Sequence, residues 1–191
     1  MKKALSLIMV VAILLSFSAC FGGNKGVIGE TYTSKSRGVE FTLNAVEFAD
    51  AIDGWSGAND DFWKPLDENN CNIGGRYATL DAYKLAHGLV PSSEDDVIVF
   101  ISYTAKNISE NDKIIDDIGV LDYDDGYTYS EGNLAYRSKD TMWKEIPGGL
   151  ILEKLKGDQY EFRAYMIVPK EIAESDKSLT YTLFGYKFEL R

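Results

Sequence analysis

The alternation of apolar and polar residues is most regular in residues 96–107, and it predicts a long β-strand there. One face of this strand would carry five apolar side chains: Val97, Val99, Ile101, Tyr103 and Ala105. The opposite face is apolar at Ile98 and Phe100 but polar from Ser102 onwards. A β-branched segment of this kind needs neighbouring strands on both edges, so we expect the rest of the chain to form sheet around it.

Two strands are predicted before this segment and several after it. Residues 27–35 have the pattern of an edge strand, and residues 38–48 form a clearer strand whose apolar parity changes near Asn44. A change of parity within a strand indicates a bulge. Further along, Asp124, Asp125 and Gly126 lie between two alternating segments, which predicts a hairpin.

The alternation of apolar and polar residues in the C-terminal third of the chain predicts the remaining strands. In residues 159–168 the apolar positions would face the core, whereas Glu161, Arg163 and Tyr165 would face outwards. Residues 179–190 change parity at Phe184 and Gly185, where we expect a second bulge. About seven strands separated by short turns are typical of an antiparallel β-sandwich, so the predicted fold is all-β.

A long insertion, residues 49–95, interrupts the strand pattern. A short helix is predicted inside it over residues 80–87, with Thr79 as N-cap and Gly88 after its end. Loops of this length are usually functional or carry their own structure. The insertion contains five aromatic residues that form our candidate binding surface: Trp55, Phe62, Trp63, Tyr77 and Tyr83. These rings either form a small core that holds the insertion on the sandwich or recognise a partner.

The N-terminus has the features of a lipoprotein signal peptide. Lys2 and Lys3 precede an apolar run over residues 4–17, which is too short to span a bilayer. The run ends in Phe-Ser-Ala before Cys20, the pattern that a lipoprotein signal peptidase cleaves. We therefore predict a signal peptide at 1–19, a lipidated Cys20 with a flexible tether to residue 26, and one domain at 27–191. The alternative is an ordinary secretory signal with a chance cysteine.

The net charge limits the classes of partner that this chain can bind, and the cysteine content limits its disulfide bonds. Without residues 1–19 the chain has 172 residues with 18 basic and 30 acidic side chains, a formal charge of −12. Such an acidic domain does not favour nucleic acid. We expect the acyl chain to hold the protein on the extracytoplasmic side of the cell membrane, with a protein or glycan as further partner. If Cys20 is lipidated, Cys71 has no disulfide partner within the domain.

The order of these segments resembles the telokin-like, immunoglobulin-like domain of Gram-positive surface lipoproteins, a family of unknown function. The resemblance rests on the lipobox at Cys20 and on a series of strand and turn segments: 38–41, 99–107 with Ser109, 121–127, 162–170 and the strand from Leu179. It covers most of residues 27–191 except the insertion. It implies an immunoglobulin-like β-sandwich and supplies no catalytic residues.

Candidate chemistry is limited. His87 is the single histidine, and no cysteine–histidine cluster suits zinc, so we predict neither an enzyme nor a cofactor. Several aspartates crowd the predicted hairpin, and Asp122, Asp124 and Asp125 are the candidate calcium ligands. Their spacing is not that of an EF-hand, and a solvated strand edge explains them equally. The alternatives to a binding module are a carboxylate-based extracellular hydrolase and a structural or inhibitory accessory protein of the envelope.

Overall fold

The computed structural model describes residues 24–50, 90–124, 126–138, 144–145, 150–152 and 159–191. Within these ranges the chain forms thirteen strands and one short helix, α1, at Lys170–Glu174. The strands are β1 Asn24–Gly26, β2 Thr31–Ser34, β3 Val39–Ala49, β4 Asp96–Asn107, β5 Lys113–Ile115, β6 Val120–Tyr123, β7 Tyr127–Tyr129, β8 Asn133–Ser138, β9 Lys144–Glu145, β10 Leu150–Leu152, β11 Tyr160–Pro169, β12 Leu179–Leu183 and β13 Tyr186–Glu189. In the described ranges no helix is long and apolar enough to cross a bilayer.

The strands form two large sheets, which confirms the predicted all-β sandwich. One sheet has the order β2-β3-β4-β11-β8-β9, and the other has the order β1-β13-β12-β6-β7. β5 and β10 form a separate two-stranded sheet. The pairs are antiparallel except β1 with β13, which is parallel. The core lies between the two large sheets, where Tyr103 of β4 stacks on Phe162 of β11 with ring centroids 4.8 Å apart.

The predicted central strand is confirmed. β4 pairs with β3 on one edge and with β11 on the other. Its first half is buried on both faces, from Val97 to Ile101, whereas its second half alternates. The bulge expected near Asn44 is also present, because the register between β3 and β4 shifts between Leu43 and Ala45. The hairpin is confirmed by β6 and β7, in which Asp122 lies opposite Thr128.

The bulge predicted at Phe184 and Gly185 is wrong, because the chain turns there. β12 ends at Leu183 and β13 begins at Tyr186, and the two strands pair. Both turn residues have positive φ, 49° at Phe184 and 84° at Gly185, the signature of a two-residue hairpin turn. A phenylalanine rarely adopts this conformation. Burial compensates for it here, since the Phe184 ring packs against Phe41 and Tyr103.

The N-terminal boundaries also need correction. Residues 24–26, expected to belong to a flexible tether, form β1 and pair with β13. The strand predicted at 27–35 is shorter, because a turn closed by the amide of Glu30 and the carbonyl of Val27 precedes β2. Backbone pairing at a sheet edge requires no apolar side chains, and the sequence pattern therefore did not reveal β1.

The face of β11 turned away from the core is covered in part. Arg163 and Tyr165 were predicted to face outwards, and both are buried, with 8% and 2% of their surface exposed. Ile98 and Phe100 on the neighbouring β4 are equally buried. Burial, followed by the repulsion of Arg137, lowers the pKa of Arg163 to about 10. The outer face of these two strands therefore forms a second buried layer beside the main core.

Candidate functional site

Both ends of the long insertion meet one end of the sandwich, which we call the insertion end. β3 finishes there at Ala49, and β4 starts there at Asp96. The two strands are paired up to Ala49 and Ile98, so the chain leaves and re-enters the sheet at neighbouring positions. β11 reaches the same end and continues into α1. The described ends of the insertion, residues 49–50 and 90–95, thus lie beside three adjacent strands of one sheet.

Lys170 lies at the centre of the insertion end. Its backbone amide donates to the carbonyl of Asp95 at 2.7 Å, which fixes the start of α1 against the start of β4. Its ammonium donates to the Asp50 carboxylate at 3.1 Å, and this hydrogen bond raises the pKa of Lys170. Lys170 therefore links both ends of the insertion, at Asp50 and Asp95, to the end of β11.

α1 is held in place from both sides. Ile172 packs into the core and is 2% exposed. The helix has no basic residue in its last turn, and the guanidinium of Arg191 takes that role by donating to the carbonyls of Ile172 and Ala173. A third hydrogen bond joins Arg191 to the carbonyl of Lys177. Cations that bond the last carbonyls stabilise a helix C-terminus, so the chain end fixes this helix.

Two open grooves flank Lys170. The first has a volume of about 580 Å³, and its described lining residues are Asp95, Pro169, Lys170, Glu171, Glu174 and Ser175. The second has a volume of about 540 Å³ and is lined in the described ranges by Asp50, Asp96, Lys170 and residues 90–94. The second groove contains residues from both ends of the insertion. The grooves therefore lie where the insertion joins the body of the protein.

Carboxylates dominate this surface. In the described part of the chain they belong to Asp50, Glu94, Asp95, Asp96, Asp124, Glu171, Glu174 and Asp176, against the cations of Lys170, Lys177 and Arg191. Hydrogen-bond acceptors and negative charge suit a partner that presents amines, guanidinium groups or hydroxyls. The grooves are open, and their described lining presents a surface for contact with a partner.

Two of the three predicted calcium ligands, Asp122 and Asp124, each contact a different side chain. The Asp122 carboxylate accepts a hydrogen bond from the hydroxyl of Thr128 at 3.0 Å. The Asp124 carboxylate pairs with the Lys177 ammonium at 2.5 Å, and this contact raises the pKa of Lys177. Asp125 lies outside the described residues. Within the described ranges no three acidic, histidine or cysteine side chains form a metal-binding group, and calcium binding by Asp122, Asp124 and Asp125 together stays a prediction.

The other predicted site residues lie outside the described ranges. They are Cys20, Trp55, Phe62, Trp63, Tyr77 and Tyr83, together with Cys71, His87 and the helix expected at 80–87. The sequence pattern did not identify Lys170 as a site residue, although this residue ends the segment 162–170. The available signal was its position directly after a confident strand and a proline, where a strand end meets a loop.

Comparison with known proteins supports the fold. No protein-family model and no curated protein matches the chain. The crystal structure of an uncharacterized β-sandwich protein from Clostridium difficile 630 matches with a TM-score of 0.55 and 19% identity, over 89% of this chain and 95% of the other. At this identity the likeness establishes the fold alone. The chain is thus an all-β sandwich, similar to a β-sandwich protein that is itself uncharacterized.

Proposed function

We propose that this protein is a membrane-anchored, extracytoplasmic binding module. Cleavage before Cys20 and lipidation of its thiol would attach the mature chain to the outer face of the cell membrane. The insertion and the grooves at its base would contact a protein or glycan partner. On this proposal the chain belongs with the telokin-like, immunoglobulin-like domains of Gram-positive surface lipoproteins, and it acts by binding and not by catalysis.

The supporting observation is the convergence of the insertion, Lys170 and the two grooves at the insertion end. Recognition residues are commonly placed on loops that a rigid sheet holds in position. The loops at one end of an antiparallel sandwich are the usual binding surface of such folds. The five insertion aromatics would add contact area to the carboxylate-rich base, since Tyr and Trp bind at low entropic cost.

The partner class follows from the charge of the insertion end. Carboxylates around both grooves favour a partner that carries basic or hydroxyl groups and disfavour one that carries phosphates. A basic protein surface and a neutral or amino-substituted glycan both meet this requirement. Electrostatic steering of this kind predicts association that slows as the salt concentration rises.

The test is crosslinking on intact cells followed by affinity capture. The full chain is compared with a variant in which residues 51–89 are replaced by a short Gly/Ser linker. Asp50 and Val90 are kept, so that the Lys170–Asp50 ion pair and the body of the sandwich stay intact. Circular dichroism and a cooperative urea transition establish that the variant folds. A matched variant with neutral substitutions at Thr31 and Thr33, exposed positions of β2 outside the insertion end, controls for general effects on expression.

The proposal predicts a partner that the full chain and the β2 variant capture and the shortened chain loses. Capture of the same partner by all three proteins would contradict a binding role for the insertion and favour a structural envelope protein. Release of a hydrolysed product from envelope material, abolished by Glu171→Gln with Glu174→Gln, would contradict the proposal in favour of a hydrolase.

A further inference from the structure

The face of the six-stranded sheet that turns away from the main core carries three large apolar side chains, which we call the outer patch: Ile98 and Phe100 of β4 and Tyr165 of β11. Phe100 and Tyr165 are paired across the strands, with ring centroids 6.4 Å apart. All three residues are almost fully buried, with 0%, 1% and 2% of their surface exposed. None of the three belongs to the cluster of the main core, so the second large sheet is not what covers them.

The described helices and strands do not account for this burial. Those that contact β4 and β11 substantially are their neighbours in the sheet and α1, and α1 directs Ile172 into the main core. Phe100 and Tyr165 nevertheless have further interactions besides their contact with each other, as do Glu47 and Arg163 on the same face. The cover of the outer patch therefore comes from residues outside the described ranges.

Full burial on this face is confined to the half of β4 beside the insertion end. Ile98 and Phe100 are buried there. Ser102 and Lys106, further along the same face of β4, are only half-buried. Ile167, which lies opposite Ile98 on β11, has 38% of its surface exposed and marks the limit of the cover on that side. The covering residues thus lie over the first half of β4.

The insertion leaves and re-enters the sheet directly beside the outer patch. Ala49, the last residue of β3, pairs with Ile98, and β4 begins at Asp96, two residues before it. The distance along β4 from Ile98 to Phe100 is about 7 Å. Since an extended residue spans up to about 3.6 Å, a few residues from either end of the insertion are enough to cross the patch.

The other segments outside the described ranges join the sheet elsewhere. Segments 139–143 and 153–158 both meet it at the level of Tyr160, which pairs with Ala105 in the second half of β4. Segment 146–149 follows β9, which lies three strands away from β4, a distance of about 14 Å. The insertion is therefore the segment whose ends meet the covered half of the strand.

The composition of the insertion suits the outer patch. Residues 51–89 contain five aromatic side chains, an unusual number for a segment that connects two strands. Aromatic pairs contribute stability beyond the area that they bury, and Phe100 and Tyr165 offer two rings for such pairs. The outer patch thus provides a place where rings of the insertion can be buried.

We propose that residues 51–89 fold back across the outer patch and pack aromatic side chains against Ile98, Phe100 and Tyr165. The insertion then completes the second buried layer of the sandwich, and the rings that pack there do not contact a partner. This inference rests neither on the lipid anchor nor on the proposed binding role. It limits the recognition surface of that proposal to the grooves around Lys170 and to the insertion residues that stay off the patch.

Site-specific photocrosslinking identifies the segment that covers the outer patch. Phe100→p-azidophenylalanine keeps the ring and places a photoreactive azide on it in the full chain. After irradiation, tryptic digestion and mass spectrometry locate the crosslinked peptide. The same replacement at Tyr127, which is 61% exposed, is the control for an uncovered ring. The replacement at Tyr103 is the positive control, because its ring is buried against Phe162 and Phe184.

The azide at position 100 is expected to crosslink to a peptide within residues 51–89. Its yield should exceed that at position 127 by roughly threefold or more, because packed side chains lie within about 4.5 Å of each other. Crosslinks confined to residues 139–158 would overturn the proposal. A crosslink to a second copy of the chain, or a yield no higher than at position 127, would overturn it as well.

A thermodynamic cycle tests the same packing without a chemical probe. Phe100→Leu and Phe162→Leu are each made in the full chain and in the chain whose residues 51–89 are replaced by a Gly/Ser linker. Phe100→Leu should lower the urea midpoint of the full chain, and about half or more of this shift should disappear in the shortened chain, because the ring has lost its partners. Phe162→Leu should shift both midpoints equally, since Phe162 packs in the main core.

Equal shifts for Phe100→Leu in the two chains would refute packing of the insertion on the outer patch. The crosslinking result decides by itself if the shortened chain does not unfold cooperatively. Partner capture, which tests the proposed function, uses no substitution in the outer patch. Either proposal can therefore fail while the other holds.

Discussion

Removing the hydroxyl group of Tyr181 should destabilise the sandwich measurably. Tyr181 is fully buried on β12, and its hydroxyl donates to the carbonyl of Ile118 at 2.6 Å. Tyr103 on β4 donates in the same way to the neighbouring carbonyl of Asp117 at 2.9 Å. These two tyrosines, one from each large sheet, thus hold the segment that leads into β6. Tyr181→Phe removes one of the two hydrogen bonds and keeps the ring that fills the core.

The expected loss of unfolding free energy comes from the hydrogen bond alone, because the packing of the ring at position 181 is unchanged. A hydrogen bond of this kind contributes about 1 kcal/mol, and a carbonyl that loses its donor costs about 1–3 kcal/mol when it stays dry. Ile118 is half-buried, so water can reach its carbonyl in part, and we expect about 1–2 kcal/mol in total. For a chain of this size, that corresponds to a melting temperature lower by about 2–8 °C.

Urea denaturation of the mature chain, followed by far-UV circular dichroism, measures the effect. Tyr127→Phe is the matched control, since Tyr127 is 61% exposed, and it should change the unfolding free energy by less than about 0.5 kcal/mol. Tyr103→Phe should resemble Tyr181→Phe. The double variant should lose less than the sum of the two, because both hydroxyls hold adjacent carbonyls. Equal stability of Tyr181→Phe and Tyr127→Phe would refute this account of the segment.

Three further predictions follow from the described contacts. Gly119→Ala should lower the unfolding free energy by about 2–4 kcal/mol, because φ is 73° and the added methyl group would contact the ring of Tyr181; differential scanning calorimetry measures the loss. Arg191→Ala should cost about 1 kcal/mol in urea titration, because the carbonyls of α1 lose their donor, and Arg191→Lys should recover part of it. Burial raises the pKa of Tyr103 and Tyr181 well above 10, so the unfolded chain releases these protons first as the pH rises. The stability that these two groups contribute should be constant below pH 10 and fall above it, which urea midpoints of the unsubstituted chain and of Tyr103→Phe with Tyr181→Phe, compared at each pH, would reveal.

Local periodicity was sufficient to predict β4, the bulge in β3 and the β6–β7 hairpin. These features depend on which face each residue presents, and alternation encodes that directly. The change of parity after Leu183 was ambiguous, because a bulge and a two-residue turn shift the faces in the same way. The turn was chosen by tertiary packing, since the buried ring of Phe184 holds a backbone conformation that its residue type disfavours.

Local periodicity could not predict the burial of side chains on the outer face of β11, and it could not predict the candidate site. Arg163 follows the alternation, but its exposure depends on what covers the sheet, which is a property of the whole fold. The ion pair between Lys170 and Asp50 joins residues 120 positions apart, and no local pattern relates them. The site therefore becomes visible only when the register of β3, β4 and β11 brings these positions together.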